Sequence, residues 1–336
     1  MATQIFAEKR AALYLIVQPS VAYVAPTPAT DKALRVEDVT IAFEGGVVRV
    51  EADVSAVGGG QPSYVGATSL TITGSVRLPA WPGTQPHTLA EFPAFAALLQ
   101  SMPLAFDATS ELDVTPIDTY IPGTTPKLIS VTMITPEGNT WTGYNATSIL
   151  DAIESNDDGT LRLRFTMRAQ GRDTLTDTCA SSTVAAGDIV YTASNYIISK
   201  GGTLTLTGPS GAGVVALRSF TWSAGMAQNV NRDMLAAQGY GVAFGRHTQN
   251  CAFALTITTP KESDRALVAA MLGNTGTTCA LSFGSGAAAF SITQAAGAIS
   301  EITAGADEGA QTYALTAVAW PTATGFDQYR MRWGTP

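Results

Sequence analysis

A strand followed by a short helix occurs twice in this chain, and that repetition constrains the fold more than any other feature. The first copy reads SLTITG (Ser69–Gly74), passes through a proline-rich loop and enters EFPAFAALLQSM (Glu91–Met102). The second reads ALTITT (Ala254–Thr259) and runs directly into PKESDRALVAAMLG (Pro260–Gly273). Apolar residues alternate in each strand and recur at helical spacing in each helix. In the first helix these are Phe92, Phe95, Leu98, Leu99 and Met102, with Pro93 in the first turn, where its missing N–H costs nothing. In the second, Thr259, Pro260 and Glu262 read as a cap, a first-turn proline and a capping-box partner. Leu267, Val268, Met271 and Leu272 supply the apolar face there, and Gly273 the stop. Both helices read as core-facing elements rather than cofactor boxes.

The two copies keep their order but not their spacing. SLTITG and ALTITT lie 185 residues apart (69 to 254), and upstream VTIAF and FTWSA lie 181 apart (39 to 220). Downstream, the acidic turn Asp157-Asp158-Gly159 matches Asp307-Glu308-Gly309 at 150. The falling offset puts longer loops in the first copy. The period far exceeds the ~20–50 residues of a solenoid repeat, so a whole domain is duplicated. The expected fold is mainly β: two tandem β-sandwich or barrel-forming domains, each with one short helix. The expected divisions are an N-terminal arm (1–34), a first β domain (35–170), a linker (171–202) and a second β domain (203–336).

Length supports this division, since 336 residues are long for one domain and comfortable for two, and 46% hydrophobic content can fill two cores. Charged residues reach only 14%, well under the usual quarter, and Thr, Ser, Ala and 32 Gly take their place. That composition predicts a bland surface, much of it buried in partners. A net charge of −8 argues against tight nucleic-acid binding, which needs clustered Lys and Arg. Cys179, Cys251 and Cys279 form neither a disulfide framework nor a zinc motif; they read as small apolar residues and fit a reducing compartment. Lys9 and Arg10 precede the apolar run Ala11–Ala25, which resembles a signal peptide, but Glu8, Gln18, Pro19 and Ser20 break the pattern. Ala11–Val17 reads better as a first strand. No stretch reaches the ~18 apolar residues of a membrane span.

Strand patterning continues through the chain. In Gly46–Val54, Val48, Val50, Ala52 and Val54 alternate with Arg49, Glu51 and Asp53, and Gly58–Gly60 break the run. Leu161, Leu163, Phe165 and Met167 alternate with Arg162, Arg164, Thr166 and Arg168. A row of arginines on a strand can touch phosphate, but pairing with carboxylates across the sheet is the expected use. At the C-terminal end, Tyr329, Met331 and Trp333 alternate with Arg330 and Arg332.

Catalytic patterns are missing. His87 and His247 have no Cys, Asp or Glu at metal-ligand spacing, and no GxSxG occurs. Gly208–Gly213 has the glycines of a phosphate loop without its Lys-Ser/Thr, and reads as a turn. Asn145-Ala-Thr147 is a formal glycosylation sequon. The reading is therefore no enzyme, no metal and no cofactor.

Four stretches carry a resemblance to a known family. They are the segment from Tyr23 to Gly66, with its arm, strand and long hairpin; TSLTITGSVRLPA; the helix EFPAFAALLQSM; and Lys127–Arg172, where a strand pair precedes an acidic turn and a last strand. Together, over roughly residues 20–172 and more faintly 203–333, they resemble the major tail tube proteins of long non-contractile-tailed bacteriophages, in the subclass with a duplicated domain. The resemblance implies a structural virion protein, made in the host cytoplasm and incorporated in the tail. Three two-domain subunits would form a pseudo-hexameric ring, and rings would stack into a hollow tube that carries DNA outward. It implies tape measure, tail terminator and distal tail proteins as partners, and no membrane. Three chains would bring a charge of −24 to each ring, repulsive to phosphate wherever it faces the lumen. Hairpins Gly45–Val65 and Ala224–Phe244 would reach the adjacent ring, which makes Arg49, Glu51, Arg232 and Asp233 candidates for ring-to-ring salt links. A secreted or surface β-sandwich adhesin or binding module is the alternative reading, and a baseplate ring protein a close cousin of the first.

Overall fold

The computed structural model describes residues 10–18, 26, 33–44, 47–49, 63–65, 69–80, 89, 92–107, 112–117, 126–134, 140–155, 159–170, 196–207, 216–231, 242–247, 250–258, 264–273, 276–307, 310–321 and 327–334. The first half contributes strands β1 (Arg10–Val17), β2 (Ala33–Glu44), β3 (Val47–Arg49), β4 (Ser63–Val65) and β5 (Ser69–Arg77), then helix α1 (Pro93–Gln100). It continues with β6 (Leu104–Asp107), β7 (Leu112–Pro116), β8 (Ile129–Ile134), β9 (Thr140–Ser155) and β10 (Leu161–Gln170). The second half contributes β11 (Thr203–Thr207), β12 (Ala216–Ser223), β13 (Met226–Asn231), β14 (Val242–His247) and β15 (Ala252–Thr258), then helix α2 (Asp264–Leu272). It ends with β16 (Thr278–Phe283), β17 (Phe290–Gln294), β18 (Gly297–Asp307), β19 (Ala310–Ala319) and β20 (Arg330–Trp333). The protein is mainly β, as its alternation predicts.

Ten strands form one antiparallel sheet in the order β10-β5-β2-β1-β8-β9-β12-β15-β19-β18. Because β10 also pairs with β9, the first six close into a barrel. Closure turns Leu13, Leu34, Ile72, Val131, Leu163 and Phe165 away from water. Within the sheet one four-strand order occurs twice, β2-β5-β10-β9 and β12-β15-β19-β18. In each half a hairpin follows the first strand, a helix the second, and a further hairpin the helix. Even an irregularity recurs: β9 slips against β10 at Asp151, and β18 slips against β19 at Ser300. Such bulges bend a sheet at a fixed place.

The sheet register corrects one sequence match. Thr40 faces Thr73 in the first half, but Thr221, which lies 181 residues beyond Thr40, faces Ala254 and not Thr258. The offsets of 181 and 185 therefore cannot both be sheet equivalences. Their difference is even, so every side chain keeps its face, and alternation cannot detect the slide.

A second sheet, β11-β16-β17-β20-β7-β6, joins the halves. Its pivot is the C-terminal strand β20, which pairs with β17 on one side and with β7 on the other. Tyr329, Met331 and Trp333 are buried, as their alternation predicts. The Trp333 indole donates to the carbonyl of Pro79 at 3.1 Å and meets Phe95 of α1 edge-on at 6.1 Å. Burying a Trp of this size contributes on the order of 3 kcal/mol, so β20 clamps the first half as well as the second.

The helices differ in cover. Pro93 opens α1 as expected, and every residue from Ala94 to Leu99 is buried, with β1 packed against the helix. Helix α2 buries Leu267 and Ala270 but leaves Val268 39% and Leu272 77% exposed, so half of its expected apolar face is open. Its N-terminal residues Thr259, Pro260 and Glu262 lie outside the described residues.

Candidate assembly interface

The outer face of the barrel carries the arginine row, and carboxylates meet it. Glu37 on β2 lies 2.9 Å from Arg162, 3.2 Å from Arg77 and 4.0 Å from Arg35. Arg162 also reaches Asp38 at 3.0 Å, and Arg164 reaches Glu154 at 3.7 Å. Thr166 donates to Asp151 at 2.8 Å. Carboxylates from β2 and β9 thus neutralise these cations, which is the cross-sheet pairing that the alternation suggested. Phosphate would have to displace carboxylates already in place.

Beyond β9 the same face changes character. Ser219, Thr221, Ala254, Thr256, Thr303, Ala314 and Thr316 line a shallow groove across β12, β15, β19 and β18, with Glu301 as its one acidic residue among those lining it. Apart from Glu301 the lining is uncharged, and most of its side chains are short.

The two halves meet edge to edge within the chain. Ala152, Ile153 and Glu154 of β9 pair with Ser223, Trp222 and Thr221 of β12. Ile153 and Trp222 are fully buried at this joint. Hairpin β13–β14 folds back across β9, where the Gln228 amide donates to the Thr147 carbonyl at 2.9 Å. At the far end of the sheet, β18 pairs with β19 alone among the described residues; the Thr277 N–H donates to the Gly297 carbonyl at its start (2.8 Å), and the edge beyond, from Ala298 to Asp307, has no strand against it. Natural proteins rarely leave such an edge unpaired.

Of the four candidate ring-to-ring residues, Arg49 lies on β3 opposite Ser63. Glu51, Arg232 and Asp233 lie outside the described residues. His87 and Gly208–Gly213 also lie outside them, and His247 is on β14. The sequon residue Asn145 sits in β9 with φ 50°, its backbone N–H donating to Gln18. Among the described residues no cluster of His, Cys, Asp or Glu could hold a metal ion. Cys251 and Cys279 are buried, as their apolar surroundings predict. Sequence reasoning missed the open edge of β18. Its composition of Ala, Ser, Thr and Gly with little charge is that of any strand, and only pairing reveals a strand as terminal.

No protein-family model matches this chain, and no curated protein does. Among solved structures, the crystal structure of MucB in complex with MucA(peri) aligns over 93% of this chain and 88% of that one, with 8% identity and a TM-score of 0.10. A score that low carries no argument about fold or function.

Proposed function

We propose that this chain is a structural subunit that joins copies of itself edge to edge into closed rings, and that the rings stack into a hollow tube for DNA, as in the tail tube proteins that its sequence resembles. The observation that carries this reading is the pairing of a repeated four-strand unit with an open end. The units are already joined side by side at β9 and β12, and among the described residues the run stops at β18 with no strand against its outer edge from Ala298 onward. Repeating that joint between chains removes the edge, and a head-to-tail joint that closes makes a ring. Three chains would supply six units. The short, mostly uncharged side chains on the outer face of β12, β15, β19 and β18 suit a wall past which a polyanion slides without being held.

Negative-stain electron microscopy of the purified protein, with light scattering to give the mass, tests the proposal. Rings or stacked tubes with threefold averages are the expected result. Uniform monomers at every concentration would overturn it, and monomers that bind a glycan or peptide surface would favour the adhesin reading.

A further inference from the structure

The internal joint between β9 and β12 is a template for a joint that the isolated chain leaves unmade. We infer that the open edge of β18 pairs, antiparallel, with the Asp38–Glu44 stretch of β2 in a second copy of this chain, with Thr303 on the same face as Asp38, Thr40 and Ala42. The inference rests on the ring-forming reading and adds the strands and residues that make the contact.

Equivalence between the halves identifies both partners. Strand β18 ends its four-strand unit as β9 ends the first, and the bulges at Asp151 and Ser300 align Ala152, Ile153 and Glu154 with Glu301, Ile302 and Thr303. Strand β2 opens its unit as β12 opens the second. The VTIAF–FTWSA match aligns Thr40 with Thr221, and followed through the sheet registers it aligns Ala152 with Thr303, two residues from the bulge alignment. Carried to the free edges, the internal joint sets Thr303 opposite Asp38 by the bulges or opposite Ala42 by the sequence match, and the even difference keeps every side chain on the same face.

The second partner is available. Strand β1 covers the outer edge of β2 only from Ala33 to Glu37. From Asp38 onward that edge has no strand against it among the described residues. The internal joint has the same layout: β8 takes the edge of β9 as far as Ala146, and β12 takes it again from Ala152.

Burial points the same way. At the internal joint the core-facing pair, Ile153 and Trp222, is fully buried. Ile41 and Ile302, which lie on the two free edges, are each only half-buried in the single chain. Thr40, Ala42, Glu301 and Thr303 on the other face are exposed, and none of them would clash or repel. Val268 and Leu272, the open face of α2, belong to a helix that packs against β18, so a neighbour arriving at this edge meets exposed apolar surface there too.

Cysteine crosslinking tests the pairing in the full-length protein, with C179S as background and a short bismaleimide as reagent. The buried Cys251 and Cys279 stay silent. E154C with T221C, a pair inside one chain, should crosslink without changing the mass and so reports native folding. T303C is then combined in turn with D38C, T40C and A42C, which lie on one face. Covalent multimers are expected, strongest for one of these three positions and weaker for the others. Mixing chains that carry the most reactive β2 cysteine alone with chains that carry T303C alone should give dimers and nothing larger. Rings in the microscope without crosslinks at any of the three positions would overturn this pairing and leave the tube reading standing. Crosslinked multimers without rings would keep the pairing and remove the tube. Absence of both would remove both.

Discussion

Arg332 grips Asp113 across 219 residues of sequence, with its Nε 2.7 Å from Oδ1 and its Nη2 3.2 Å from Oδ2. Arg330 adds a further hydrogen bond to the same carboxylate. The carboxylate is on β7 and both guanidiniums are on β20, so this cluster reinforces the pairing that stitches the C-terminal strand to the first half. A two-pronged contact fixes strand register as well as attraction.

Asp113→Ala should therefore cost about 1.5–3 kcal/mol, the range for hydrogen bonds to charged groups, because the side chain is only 15% exposed. Urea unfolding monitored by Trp fluorescence measures it, since Trp333 lies on the strand that loosens. A change within ~0.5 kcal/mol would show that β20 holds by packing alone.

Acid should remove the same contribution. Burial by itself raises the Asp113 carboxyl, but the hydrogen bonds and charges of Arg330 and Arg332 outweigh it and hold the group below its ordinary 3.8. A carboxyl depressed in the folded state contributes fully above its unfolded value and loses the contribution as pH falls through the folded one. The deficit of Asp113→Asn relative to wild type should thus stay constant from about pH 7 to 5 and shrink below 3.8. Denaturant midpoints across that range check the sign.

Glu37 and Arg164 should behave in opposite ways although both belong to the charged face of the barrel. The Glu37 side chain is 8% exposed among three arginines, so Glu37→Gln removes a carboxylate shared by Arg35, Arg77 and Arg162, of which Arg162 keeps Asp38, and should cost about 1.5–3 kcal/mol. The Arg164 side chain is 59% exposed and 3.7 Å from Glu154, so Arg164→Ala should stay within about 1 kcal/mol. Thermal melts of the two variants separate these outcomes.

The two buried thiols should be inert. Burial pushes Cys251 and Cys279 up to about 12, which leaves almost no thiolate at about pH 8. In a Cys179→Ser background, a thiol-exchange reagent should label neither residue in native buffer and both in denaturant. Rapid native labelling would mean that the sheets open readily around them.

Side-chain period 2, read along the chain alone, settles which residues face the core. It assigns Leu161, Leu163, Phe165 and Met167 to the core and Arg162, Arg164 and Arg168 to the outer face, and it does the same for Tyr329, Met331 and Trp333 against Arg330 and Arg332. Together with helical spacing it also marks the duplication and both helices. These are local properties, because alternation, helical spacing and turn residues act within a few residues of each other. Non-local partners lie beyond their reach. Only the tertiary structure decided that β20 returns to β7, that β1 seals α1 while α2 keeps Val268 and Leu272 open, and that β18 ends the sheet. It also decided the slide between the LTIT strings, which an even shift hides from any pattern of faces. The physical reason is that backbone hydrogen bonds carry no side-chain signature: any strand of suitable alternation can pair with any other, and only packing of the whole core selects which edges meet and which stay open.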